Sequence, residues 1–163
     1  MKRRILGGMV ALSLVLWAQA AGPSAAAGTA CANLAALTIP SVTINAATMM
    51  AAGTLTPPGP QVPGTNASPL PAFCRVEATA RPTSDSEIKF EVWIPPVETW
   101  NGKFQGVGNG GYQGSISYAA MANALRRNYA TASTDTGHTG DDVKFGQNHP
   151  EKVIDYGWRA IHV

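Results

Sequence analysis

Lys103-Phe104-Gln105-Gly106-Val107, then Gly108-Asn109-Gly110-Gly111-Tyr112-Gln113-Gly114, then Ser117 to Asn128 (SYAAMANALRRN) and Tyr129 to Thr134 (YATAST), is the stretch that decides the fold. The first segment alternates as a short strand, and the second is too rich in glycine for helix or strand. The third is an alanine-rich helix with Ser117 placed as its N-cap, closed by Arg126-Arg127 where cations suit the dipole. The fourth reads as another strand, ending in Asp135-Thr136-Gly137-His138. Strand, loop, helix and strand in that order predict a right-handed crossover between parallel strands, and so an α/β fold.

Upstream, the chain builds antiparallel sheet. Phe73 to Arg81 sets Cys74, Val76, Ala78 and Ala80 against Arg75, Glu77, Thr79 and Arg81. Ser86 to Pro95 repeats the alternation, with Ile88, Phe90, Val92 and Ile94 opposite Lys89, Glu91 and Trp93. Pro82-Thr83-Ser84-Asp85 supplies the turn of a hairpin. Val42 and Ile44 suggest one short strand before it. Thr56 to Pro71 is crowded with proline and glycine and reads as a surface loop carrying the sequon Asn66-Ala67-Ser68. Downstream, His149-Pro150 opens a helix that runs to Val163 with Val153, Ile154, Trp158 and Ile161 at helical spacing. An amphipathic helix without a stop signal leads to the expectation of a segment whose sheet continues beyond it.

Met1-Lys2-Arg3-Arg4, the apolar run Ile5 to Ala18 and the small residues that follow have the order of a signal peptide, residues 1–27, cleaved after Ala20 or after Ala27. The run is too short for a membrane span. Removing Lys2, Arg3 and Arg4 takes the 12 basic residues to 9 against 10 acidic ones, a formal charge of −1. No basic tract is left to attract nucleic acid or an anionic membrane surface. The expected location is outside the cytoplasm, secreted or periplasmic, where Cys31 and Cys74 are expected to pair, two free thiols being the alternative. Lipidation of Cys31 is disfavoured, because Gly28-Thr29-Ala30 lacks the aliphatic residue expected three places earlier.

Gly106 to Gly111 satisfies G-x-G-x-x-G, a pattern used in dinucleotide binding. Further residues, including Gly114, separate it from the helix, whereas such a site packs its last glycine into the helix start. The same loop suits an oxyanion hole, where glycines leave backbone N–H groups free to face a developing negative charge. A plain connecting turn is the third reading.

Val92-Trp93-Ile94-Pro95, Trp100-Asn101-Gly102-Lys103-Phe104, Gly108-Asn109-Gly110-Gly111-Tyr112, Tyr129-Ala130-Thr131, Thr134-Asp135-Thr136-Gly137-His138 and Asp155-Tyr156-Gly157-Trp158-Arg159 together resemble the tannase and feruloyl esterase family. The Cys31 and Cys74 pair resembles a disulfide near the start of that family. The resemblance implies a secreted serine esterase of α/β-hydrolase fold acting on esters of aromatic acids, with a Ser-Asp-His triad and a calcium-bearing lid. Residues 28–163 are then the N-terminal part of the hydrolase domain, before the nucleophile elbow. No G-x-S-x-G occurs, and the fold's Ser, Asp, His order places the triad after Val163, so these residues alone are expected to be inactive.

By the same resemblance Gly111 is the oxyanion-hole glycine, with Gly110 its neighbour and second choice. Asp135 and His138 stand at the end of a parallel strand, yet a histidine ahead of the nucleophile cannot serve the triad, so they are expected to brace the loop by hydrogen bonding. Asp135-Thr136-Gly137 also imitates half of an aspartic-protease site but has no second copy. Asp135, His138, Asp141 and Asp142 could be drawn as a calcium cluster, although adjacent acids on a glycine-flanked loop are more often solvated; no metal is expected. An exported binding module is the rival from another class.

Overall fold

The computed structural model describes residues 30–55 and 69–162. The signal segment and its cleavage sites, the sequon and most of the proline-rich loop lie outside them.

Five strands form one mixed sheet: β1 (Val42–Met50), β2 (Phe73–Ala80), β3 (Ile88–Ile94), β4 (Phe104–Gly106) and β5 (Ala130–Thr134), in the order β1-β2-β3-β5-β4. β1, β2, β3 and β5 pair antiparallel in succession, and β4 pairs parallel with β5. Helix α1 (Tyr118–Arg126) connects the parallel pair, as the sequence predicts. Asn128 at φ 61° supplies the left-handed residue that stops this helix.

β1 is longer than Val42 and Ile44 suggest. A register shift between Ile44 and Ala46 interrupts its alternation, so the second half reads out of phase with the first. Asn45, at the shift, donates from Nδ2 to Thr79 Oγ1 at 2.9 Å.

The two faces of the sheet are filled differently. On one, the tilted rings of Phe73 and Trp93 lie 4.8 Å apart and pack with Leu70 against Met121, Ala122 and Leu125 of α1. The alanines let the helix approach closely. On the other, Cys31 and Cys74 form a disulfide that fastens a 3-10 turn (Cys31–Ala36) over Val76, Val92 and Ile94.

The face that looks polar in the alternation holds the buried centre. Glu91 is 3% exposed. Its carboxylate accepts from Arg75 Nε at 2.8 Å and Nη2 at 2.6 Å, from Trp93 Nε1 at 2.8 Å and from Tyr118 Oη at 2.7 Å. Burial pushes the Glu91 carboxyl up, and the three donors together outweigh it and leave it below the usual range. Arg75 is raised by its bond to Glu91. Tyr118 is pushed up to about 12 by burial and by the same carboxylate.

The C-terminal region departs from the expected single amphipathic helix. α2 (Pro150–Ile154) passes into a π-helical turn, Asp155–Arg159, and then into α3 (Ala160–His162). Pro150 takes the first helical position, as expected. Val153, Ile154, Trp158 and Ile161 are exposed, while Asp155 is fully buried. Its Oδ1 accepts from Ser86 Oγ and from Arg159 Nη1, both at 3.0 Å. A buried polar side chain bonded to Ser86 and Arg159 sets the rotation of this segment, and the apolar stripe does not.

Two outcomes test this account. The double variant Cys31→Ala/Cys74→Ala should lose about 4 kcal/mol in urea unfolding, the loop-closure contribution of a bridge spanning 43 residues. For Tyr118, a folded value above the unfolded one means stability that is present below about pH 10 and lost as pH rises toward 12. For Glu91, a lowered folded value means stability lost as pH falls below the ordinary carboxylate range. Unfolding followed against pH should show both slopes, and Tyr118→Phe should abolish the alkaline one.

Candidate functional site

The glycine loop leaves β4 at its carboxyl end, and the turn after β5 leaves the neighbouring parallel strand at the same end. Open α/β sheets place their sites at such an end. Seven hydrogen bonds build the loop. Val107 N donates to Ala132 O at 2.9 Å, continuing the strand pairing. Asn109 Nδ2 donates to Gln113 O at 2.8 Å and to Thr134 O at 3.1 Å, spanning the loop and anchoring it to β5. Ser117 holds the N-cap position of α1, but its hydroxyl does not cap the helix; it turns back to Gly108 O and Asn109 Oδ1, both at 3.1 Å. Gly114 and Gly140 bond each other as an isolated bridge, N to O at 2.6 Å and 3.1 Å.

At the tip, Gln113 N donates to Gly110 O at 3.3 Å and closes a turn around Gly111 and Tyr112. Gly111 has φ 56°, a left-handed conformation that costs other residues about 1 kcal/mol or more. A Cβ on Gly110 or Gly111 would meet nothing within 4 Å, so the space above them is open. The Gly111 N–H has no acceptor among the described residues. The Gly111 carbonyl accepts from the hydroxyl of Tyr156. An exposed, unpaired amide beside glycines can receive an anion.

Asp135 and His138 do not form a pair. Asp135 Oδ1 accepts from the amides of Lys89 and Gly137, both at 2.9 Å, and shapes its own turn. Burial raises this carboxyl, and the two amides oppose the rise. His138 Nε2 lies 2.8 Å from the Tyr112 carbonyl oxygen, so it bonds the glycine loop as an N–H donor. Its ring stacks on Phe145 at 3.9 Å. Thr136 between them has φ 58°, unusual for a β-branched residue, and is held by Thr134 Oγ1 to its amide at 3.1 Å. Asp141 and Asp142 are exposed; Asp142 caps a 3-10 turn (Val143–Gly146) by accepting from Lys144 N at 2.9 Å. Among the described residues no group of three or more His, Cys, Asp or Glu side chains is placed to hold a metal ion.

The dinucleotide reading does not fit. Gly111 lies in a turn well before Tyr118, where α1 begins, and packs on nothing. Tyr156 and Asn109 hold the loop, and Phe145 packs on the rings of His138 and Tyr156; a reading of local pattern misses them, since Tyr156 is 45 residues from the carbonyl it bonds. The presence of Tyr156 in one of the family-like motifs was the available signal.

An antiparallel run leading into a parallel pair, with a glycine loop between strand and helix at its carboxyl end, defines the opening part of an α/β-hydrolase fold. Residues 74–163 match the family described as tannase and feruloyl esterase, and the chain belongs to that family. It is 47% identical over 112 residues to an uncharacterized esterase of Xanthomonas campestris, covering 68% of this chain and 19% of that protein. It is 35% identical over 109 residues to feruloyl esterase C of Talaromyces stipitatus, covering 67% and 20%. The crystal structure of feruloyl esterase B from Aspergillus oryzae superposes with a TM-score of 0.66 at 30% identity, over 81% of this chain and 26% of that one. A second Aspergillus oryzae esterase gives 0.68 at 26% identity, covering 81% and 27%. The chain thus spans about a fifth of the length of the curated relatives it matches.

A Cβ on Gly114 would collide with the carbonyl of His138. Gly114→Ala should therefore separate the two loops and lower stability by roughly 1–3 kcal/mol, read by urea unfolding. Gly108→Ala, with open space around it, should change stability by less than about 0.5 kcal/mol.

Proposed function

We propose that the whole protein is an exported carboxylic ester hydrolase acting on esters of aromatic acids. In this reading Gly111 contributes its amide to the oxyanion hole, and Gly110 gives the turn its freedom. The observation that carries it is the exposed Gly111 N–H, unpaired among the described residues, at the carboxyl end of a parallel strand. Membership of a family of ester hydrolases supports the reaction class, and relatives named feruloyl esterases support an aromatic acyl group. Attack on the ester carbonyl by a serine turns its oxygen into an alkoxide-like anion, and a fixed N–H stabilises that charge more than the neutral ground state. The Ser-Asp-His triad and the calcium-bearing lid belong, in this proposal, to parts of the protein beyond these residues. Residues 1–27 act as the signal for export, and the Cys31–Cys74 disulfide suits an oxidising destination. No helix among the described residues is long and apolar enough to cross a membrane.

The test uses the full-length protein with methyl ferulate. Gly111→Pro removes the N–H and, because its ring cannot adopt φ 56°, also breaks the turn, so kcat should fall by a factor of at least about 10². Gly111→Ala keeps the N–H and strains the turn by about 1–2 kcal/mol, so it should retain much more turnover. Equal turnover in Gly111→Pro and the parent protein would reject the assignment of Gly111, and absence of hydrolysis in the parent would reject the activity.

A further inference from the structure

We propose that Tyr156 is a positioning residue for the oxyanion site, holding the Gly111–Tyr112 peptide so that the Tyr112 N–H joins that of Gly111 as a second donor from the same loop. The inference rests on the ester-hydrolase reading and deepens it.

The argument is one of peptide planarity. In a trans peptide the carbonyl and the following N–H point to opposite sides, so whatever holds the carbonyl also aims the amide. There is no cis peptide bond among the described residues. Three successive carbonyls at the loop tip are each held from the protein side. Gly110 O accepts from Gln113 N, Gly111 O accepts from the Tyr156 hydroxyl, and Tyr112 O lies 2.8 Å from His138 Nε2. The amides that follow the first two carbonyls are those of Gly111 and Tyr112. Neither has an acceptor among the described residues, and both residues are exposed.

Of the three holds, that of Tyr156 is the one a glycine makes necessary. The Gly111–Tyr112 peptide follows a residue without a side chain, at φ 56°, where nothing within 4 Å of a Cβ restricts rotation. A flip would turn the Gly111 carbonyl outward and present an acceptor to the developing anion in place of a donor. Tyr156 is well placed to prevent this because its own ring is fixed. It stacks on Tyr112 at 5.8 Å, meets His138 edge-on at 5.7 Å and lies 5.4 Å from Phe145. Its neighbour Asp155 is fully buried and bonded to Ser86 and Arg159. The π-helical turn places the buried carboxylate and the phenol in adjacent positions, a local departure of the kind often found at functional sites.

Tyr156→Phe in the full-length protein removes one oxygen and keeps the ring. With methyl ferulate, and rates normalised to titrated active sites, kcat should fall about tenfold while KM stays within about twofold, as expected for loss of alignment felt only in the transition state. Binding of an aryl boronic acid, which forms a tetrahedral adduct, should weaken by the same factor, while inhibition by free ferulic acid should not change. A purely structural role would lower the melting temperature and the active-site titre without separating these two inhibitors. If the parent protein hydrolyses the ester and Tyr156→Phe keeps kcat within twofold, this proposal falls and the oxyanion role of Gly111 stands. If the parent protein is inactive, both fall.

Discussion

A carboxylate lies at the centre of the sheet, and three groups from separate places bond it: Arg75 on β2, Trp93 on β3 and Tyr118 at the start of α1. An ionised group in that position is tolerable only because its oxygens are fully supplied with donors. Removing one member of such a set typically costs about 3–5 kcal/mol, since the others are left desolvated. The network therefore fixes the hairpin, the sheet face and the helix relative to one another. Because α1 begins where the glycine loop ends, the placement of the loop inherits that rigidity.

The loop itself contributes little to its own shape. Four glycines between Gly108 and Gly114 provide no side-chain contacts, and order comes from outside: Asn109 and Ser117 across its base, Gly140 along its descending limb, and Tyr156 and His138 at its tip. Backbone donors held this way need no rearrangement when charge develops in front of them, which is the property an anion site requires.

The order of strand, loop, helix and strand was legible because each part has its own period and its own breaker residues, as was the hairpin closed by Pro82 to Asp85. The six motifs quoted above placed the chain in its family. Other features were hidden for physical reasons. The register shift near Asn45 scrambled the alternation of β1. Glu91 falls on the face that alternation makes polar, because a local pattern cannot reveal that Arg75, paired with Trp93 on the neighbouring strand, reaches it diagonally. The final helix reads as amphipathic about Val153, Ile154, Trp158 and Ile161, yet the buried Asp155 and its partners oriented it differently. Tyr156 was visible only as part of a motif, since its hydrogen bond spans 45 residues.

The bridge between Gly114 and Gly140 makes two loops, far apart along the chain, into one mechanical unit. Lengthening or swapping either loop to alter selectivity would drag the other with it, because their backbones lie too close for a side chain to act as a spacer. Protein engineers who graft one of these loops onto a related scaffold would have to transplant its companion as well.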